Sequence, residues 1–345
     1  MEPGNILFIA RLLATVIILL LIDFEQLIII LRSIDLDFVI LAVFFELAGF
    51  IVWTLKWKFL VDKLGRIRFT TLFLGLMGGN VLNTDVLRAR TIGGFGRAMF
   101  LKNVTRDHGH ANWYATVVMD QTVNIFVFSI PVIFSLLFVF LFLDIQRWLS
   151  ILLEGITLVL LILGLFAYLS RQKINRSAIN TFFYSTLKRI YDFSLFKIIR
   201  NRFEDYKIFE ELVIKGINEF ANTYNLILKE RKILLRDICL SALMYAFIFG
   251  KAYLIFQSVS YDISIAHLIV SLSLILWISS IIPIPGGFGI KGLIMVSIYS
   301  MVGIPLTTAA IAALIDRTIY LFFVIIIAYA SIFIMRLFHI GEKKG

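Results

Sequence analysis

The chain has 345 residues, of which 60% are hydrophobic and only 16% charged, and it carries a formal net charge of +10 at pH 7. That composition excludes a soluble globular domain and describes a polytopic integral membrane protein. The bases stand beside apolar runs, so they read as topology and lipid-surface charges rather than as a nucleic-acid footprint, and the single cysteine, Cys239, excludes an intramolecular disulfide.

A helix needs about 20 apolar residues to cross the hydrocarbon, and cytoplasmic connectors collect Lys and Arg. Residues 6–22 form the first run; it lacks a small-residue cleavage site and is followed by Asp23 and Glu25, so it is expected to remain as an uncleaved span. The connector 23–37 sets Asp23, Glu25, Asp35 and Asp37 against Arg32 alone and is expected outside. Run 38–55 then ends in Lys56, Lys58, Lys63, Arg66 and Arg68, which mark a cytoplasmic exit, with Trp53 and Trp57 as interfacial anchors.

Residues 69–82 are apolar but too short to span, and Gly75, Gly78, Gly79 and Asn80 weaken them further. They lead into Asn83, Asp85, Arg88 and Arg90, then Gly93-Gly94-Phe95-Gly96-Arg97 and a basic exit at Lys102 and Arg106. With basic residues on both flanks, the economical reading is a hairpin that enters from the cytoplasm and returns there. Charges held at membrane depth are expensive, which makes Asn83, Asp85, Arg88, Arg90 and Arg97 functional candidates. A solvated loop over 83–110 is the alternative.

Run 112–142 is interrupted by Asp120, Gln121, Asn124 and Pro131. The first three share one helical sector, expected to face the bundle interior, and Pro131 is expected to kink the helix. Residues 149–169 return to the cytoplasm. The only long polar stretch, 170–236, has 14 Lys and Arg against 7 Asp and Glu, which fixes it inside. Within it Phe209, Leu212, Val213, Ile217, Phe220, Tyr224 and Ile227 recur at helical spacing, predicting an amphipathic helix over 203–227 that lies on the inner leaflet or packs on neighbouring connectors. Run 238–259 goes outward, and its Lys251 lies near enough to the outer end to snorkel.

The apolar run 266–299 contains Pro283-Ile284-Pro285-Gly286-Gly287-Phe288-Gly289. Two prolines remove donors and three glycines loosen the helix, so no unbroken span can pass; either the backbone opens onto a polar cavity or it makes a tight turn between two spans. Trp277, Ser279 and Ser280 precede the break and Lys291 follows it. The last run, 307–335, carries Asp316 and Arg317 well inside apolar sequence, with Tyr320 one turn on, and ends in Arg336, Lys343 and Lys344. The expected fold is therefore all-α: a polytopic membrane helix bundle of about six full spans plus two re-entrant broken hairpins, one from each face. The whole of 1–345 reads as one integral membrane domain with 170–236 as its cytoplasmic connector, and both termini are cytoplasmic.

No phosphate-binding glycine loop, nucleophile elbow or zinc-protease helix is present. His108 and His110 lack further local partners for a metal, so no catalytic residue, metal or cofactor is expected. Pro283 to Ile290 together with Arg317 resembles the flippase-like membrane protein family, which includes the lysylphosphatidylglycerol synthase transmembrane region and related uncharacterised archaeal membrane proteins. The resemblance covers nearly the whole chain, since 80–98 and 115–124 fall where that family carries its upstream motifs. Members of the family are similar to lipid translocases, some with an appended transferase domain, which these residues are not expected to include. Where archaeal relatives show Pro-Gly-Ala-Arg, then Gly-Gly-Glu and Arg, this chain has Leu87-Arg88-Ala89-Arg90 and then Gly93-Gly94-Phe95-Gly96-Arg97; where they show Asp-Arg and a second Asp, it has Asp120, Gln121 and Asn124; and the Glu after the last glycines is replaced by Gly292 beside Lys291. Carboxylates are removed and arginines kept.

The resulting expectation is a translocase of an anionic lipid or lipid-linked head group in the cell membrane. Arg88, Arg90, Arg97 and Arg317 would offer forked donors to a phosphate, with Asn83, Asp120 and Asn124 completing a polar path. The freed amides around Pro283, Pro285, Gly286, Gly287 and Gly289 could cradle the same anion. The expected partner is a membrane lipid, either a phospholipid or one linked to polyprenyl phosphate, with a second copy or a membrane enzyme as further candidates and no nucleic acid. A non-catalytic scaffold for a lipid- or glycan-modifying enzyme is the rival reading, and a polyprenyl-phosphate transferase ranks behind it for want of a general base.

Overall fold

The computed structural model describes residues 32–84, 90–105, 109–142, 206–281 and 289–328, together with 330, 331 and 333. The first apolar run, the return span 149–169, most of the basic connector, Asp85, Arg88, His108, Pro283, Pro285, Gly286, Gly287 and the terminal bases lie outside them. The chain divides into two compact units, one of residues 1–138 with 222–345 and one of residues 139–221.

Every regular element among the described residues is helical. In order they are α1 (Leu36–Val61), α2 (Phe69–Thr84), α3 (Arg90–Thr105), α4 (His110–Phe142), α5 (Tyr206–Lys229), α6 (Arg231–Ser258), α7 (Ile265–Ile281), α8 (Gly289–Met301) and α9 (Leu306–Leu321), with a π-helical segment at Phe322–Ala328. Three helices, α1, α4 and α6, are long and apolar enough to cross a membrane. By contrast α2 and α3 have 16 residues each and α8 has 13. At 1.5 Å per residue those lengths reach roughly 20–24 Å, short of the ~30 Å hydrocarbon core. The described parts of α2 and α3 flank residues 85–89, and those of α7 and α8 flank residues 282–288.

Local chemistry sets the helix ends. Asp35 caps α1, its carboxylate accepting from the Asp37 amide at 2.9 Å, and Asp37 adds a negative charge to the first turn. At the other end Lys58 sits in the last turn and pairs with Asp62 at 2.7 Å. Between α8 and α9 the chain turns at Gly303, whose φ of +88° suits a residue without a Cβ.

The spine of the first unit is the antiparallel pair α1 and α6. It is tied at one end by the Asp35 amide donating to the Ser258 carbonyl at 2.9 Å, and at the other by Lys63 and Glu230 at 2.9 Å. Small residues bring the two helices together. A Cβ built on Gly250 would lie 2.5 Å from Phe45, and Gly49 faces Phe247 at 3.8 Å, the close approach that packing between membrane helices exploits. Leu60, Met119, Val123, Val127, Ile227 and Ile233 close a buried apolar cluster where α4, α5 and α6 meet the end of α1.

The short helices α2 and α3 pack just as closely. A Cβ on Gly75 would fall 2.4 Å from the Phe100 ring, so Gly75→Ala is expected to cost about 1–3 kcal/mol through overpacking. Phe100→Leu in the same chain should restore most of the loss, read as detergent-solubilised thermal unfolding; an Ala at 75 without effect would mean the two helices do not meet there.

Outside and inside are inverted relative to a water-soluble bundle. On α4, Ile125, Phe126 and Ile130 are 71%, 61% and 64% exposed, whereas Asp120 on the same helix is fully buried. Apolar side chains outside and charges inside are what an acyl-chain solvent selects.

Candidate functional site

Two clusters of buried charge lie at different levels of the α1–α6 spine. The first centres on Lys56, whose ammonium is fully buried 2.8 Å from Asp120 Oδ1 on α4 and 3.5 Å from Asp237 Oδ1 on α6. Lys56 Nζ also donates to Asn124 Oδ1 at 2.8 Å and to the Asp120 carbonyl at 3.3 Å. Asp120 Oδ2 accepts from the Trp53 indole at 3.0 Å and lies 3.6 Å from Arg97 Nη1. Arg97, reaching in from α3, is held over two indole faces, 5.3 Å from the Trp53 ring and 5.2 Å from that of Trp57. Trp57 in turn donates to the Thr116 hydroxyl at 3.2 Å.

Spacing explains the convergence. On α1, Trp53, Lys56 and Trp57 fall at i, i+3 and i+4, one face of a helix, and on α4 Thr116, Asp120 and Asn124 fall at i, i+4 and i+8. Asp120, from the sector expected to face the bundle interior, is fully buried, and there it meets Arg97, a contact the sequence reading did not foresee. Gly94, whose Cβ would lie 3.1 Å from Val117 and 3.3 Å from Gln121, lets α3 come close enough to α4 for Arg97 to reach in.

The second cluster centres on Lys251 of α6. Its ammonium lies 3.0 Å from Glu46 on α1 and 2.6 Å from Asp316 on α9. Asp316 Oδ2 also accepts from Arg317 Nε at 3.0 Å and pairs with Arg317 Nη2. The Arg317 guanidinium sits 5.1 Å from the Tyr320 ring, and Lys291 of α8 approaches the same ring at 5.7 Å. The expectation that Lys251 snorkels to the outer surface is corrected: it is 6% exposed and bound by acids from two other helices. Lys56 differs likewise from its reading as a topology charge, since Asp120, Asn124 and Asp237 draw it inward.

Of the candidate residues, Arg97, Asp120 and Asn124 are brought together, and Arg317 stands in the other cluster. Glu46 and Lys56 are ten residues apart on α1, about 15 Å along the axis, which separates the two groups by depth. Asn83 lies on α2, Arg90 opens α3 and Gly289 opens α8. The sequence reading missed Lys56, Glu46, Asp237 and Lys251 as site members. The signal available was Glu46 and Lys251 within long apolar runs, where a charge demands a partner.

Each cluster pairs cations with acids in equal number, Lys56 and Arg97 with Asp120 and Asp237, Lys251 and Arg317 with Glu46 and Asp316. The second is closed, with both cations bound to carboxylates. In the first, Arg97 Nη1 and both oxygens of Asp237 are buried without a hydrogen-bond partner. Beside the second cluster an apolar groove of about 360 Å³ is lined by Pro131, Phe249, Gly250, Tyr253, Ile265, Leu268 and Ile269.

An all-helical chain with ion clusters inside and apolar side chains outside is a multi-pass membrane protein of the kind that keeps polar groups at bilayer depth. The family described as the lysylphosphatidylglycerol synthase TM region matches residues 7–328, and the chain belongs to that family. It is similar to a UPF0104 membrane protein of Methanothermobacter thermautotrophicus, 25% identical over 333 residues covering 96% of this chain and 95% of the relative. UPF0104 membrane proteins of Pyrococcus horikoshii and Methanocaldococcus jannaschii are also 25% identical, covering 83% and 99% of this chain and 83% and 97% of their own lengths. No solved structure matches.

Proposed function

We propose that this chain moves an anionic lipid, or the head group of a lipid-linked anion, across the cell membrane. Supporting this reading above all is the placement of Arg97, a guanidinium buried inside an apolar bundle, whose Nη1 is ion-paired with Asp120 at 3.6 Å and makes no hydrogen bond. A forked cation with a spare donor suits a phosphate. The lysylphosphatidylglycerol in the family's name supports a phospholipid as the class, and the apolar groove near Lys251 suits part of an acyl chain. In this reading α2–α3 and α7–α8 belong to re-entrant elements entering from opposite faces, the chain has six full spans, and both termini and 170–236 are cytoplasmic. Arg90 and Gly289, the first residues of α3 and α8, are members of the path, and Arg88, Pro283, Pro285, Gly286 and Gly287 are members that lie outside the described residues.

The second reading, a membrane scaffold without transport, is favoured by one observation: the Lys251 cluster is fully paired, as a structural ion network would be. Reconstitution separates the two. Vesicles of phosphatidylcholine carrying a fluorescent phosphatidylglycerol are expected to transfer it between leaflets faster with the protein than without. Arg97→Ala is expected to slow transfer about tenfold or more, the loss of one or two charged hydrogen bonds. Transfer unaffected by Arg97→Ala removes the site assignment, and no transfer above empty vesicles leaves the scaffold.

A further inference from the structure

Asp237 is a carboxyl group that the ion pairing does not complete. It is fully buried, its nearer oxygen lies 3.5 Å from Lys56 Nζ, and neither oxygen accepts a hydrogen bond among the described residues. Lys56 Nζ donates to the Asp120 carbonyl and the Asn124 side chain and lies closer to the Asp120 carboxylate, at 2.8 Å, than to that of Asp237; Asp120 Oδ1 shares with Asp237 the lack of a hydrogen bond but has the shorter ion pair. Asp120 by contrast has Lys56, the Trp53 indole and Arg97 around it. One turn along α6 from Asp237, the buried Ser241 hydroxyl also lacks a partner. The ionisable and polar groups facing Asp237 are Lys56 from α1, Asp120 with Asn124 from α4, Arg97 behind Asp120 from α3, and Tyr245 two turns along α6, whose hydroxyl is directed at the Asn124 carbonyl at 3.5 Å. A buried carboxylate with no donor is expensive, and its protonated form is not.

We propose that Asp237 is a proton-binding site that couples proton uptake to capture of the anionic head group, an inference that rests on the translocase reading. The step is a protonation only: a proton from the aqueous phase joins one Asp237 oxygen, and no other bond changes. With all four groups ionised, Lys56 and Arg97 balance Asp120 and Asp237. With Asp237 protonated, the cluster carries one net positive charge beside Arg97, whose Nη1 makes no hydrogen bond, and a phosphate restores neutrality. Release of the proton returns the second negative charge and expels the anion. Proton and anion therefore favour one another, and linkage makes the effect reciprocal. Asp237 lies six residues into α6, about 9 Å from its start, and the route from water is correspondingly short.

Infrared difference spectroscopy of the full chain in phosphatidylcholine nanodiscs, titrated with acid, tests this without any transport. The carbonyl envelope of protonated carboxylic acids is expected to contain, in the wild type, a component that is lost in Asp237→Asn and displaced in Asp237→Glu, which keeps the acid. Its midpoint is expected to move up by about one pH unit, a tenfold coupling, when phosphatidylglycerol replaces part of the lipid, and Arg97→Gln should abolish that displacement. Soluble glycerol phosphate at constant ionic strength is the companion probe: a displacement with both ligands assigns the site to phosphates generally, one with the lipid alone to an embedded head group. An envelope unchanged in Asp237→Asn, or a midpoint indifferent to both anions, overturns the proposal. If the component and its displacement hold while vesicles show no lipid transfer, the translocase reading fails and the proton-linked anion site stands.

Discussion

Lys56→Met is expected to lower stability by about 3–5 kcal/mol, because removing one partner of a buried ion pair leaves the other uncompensated. Here the loss is compounded. Lys56 separates Asp120 from Asp237, and without it two carboxyls confront each other across fully buried space. Neutralising the acids as well, in Lys56→Met with Asp120→Asn and Asp237→Asn, should recover much of the difference, since the strain lies in unpaired charge rather than in lost packing. Thermal unfolding in a fixed detergent at one scan rate reads the comparison. Equal losses in the single and triple variants would show that Lys56 acts through its methylenes alone.

The second cluster is expected to respond unequally to its two acids. Asp316 holds both Lys251 and Arg317, whereas Glu46 holds Lys251 alone. Asp316→Ala should therefore cost about 3–5 kcal/mol, leaving Lys251 with Glu46 and Arg317 without a paired acid, while Glu46→Gln leaves Lys251 bound to Asp316 and costs closer to the 1.5–3 kcal/mol of a charged hydrogen bond. The same unfolding measurement ranks them, and Glu46→Gln matching Asp316→Ala would show that the cluster is not centred on α9.

The all-helical class was legible because it follows from a local rule, the length of the apolar runs, whereas glycine was a poor guide to helix ends: Gly75, Gly78 and Gly79 lie inside α2 and Gly93, Gly94 and Gly96 inside α3. The inward sector of Asp120 and Asn124 was also legible locally, as a spacing on one helix. What escaped was pairing across the bundle. Lys56 meets Asp120 from 64 residues away, and nothing near Lys56 in sequence distinguishes it from Lys58, which stays at the helix end with Asp62. Counting bases at the end of a span assigns both to topology. Lys251 was misjudged on depth alone, because snorkelling is the cheaper fate of a lysine only when no acid within reach offers a better one.

The arrangement of the spine limits how the molecule can move. Glu46 and Lys56 ride on α1, Lys251 and Asp237 on its antiparallel neighbour, so an axial slip of one helix past the other would part both ion networks in a single stroke. Neither rupture could be staged ahead of the other. In the translocase reading the α1–α6 pair is on this account the stator, and alternation of access falls to the helices outside it that touch each network: α3 with Arg97, α4 with Asp120 and Asn124, and α9 with Asp316 and Arg317.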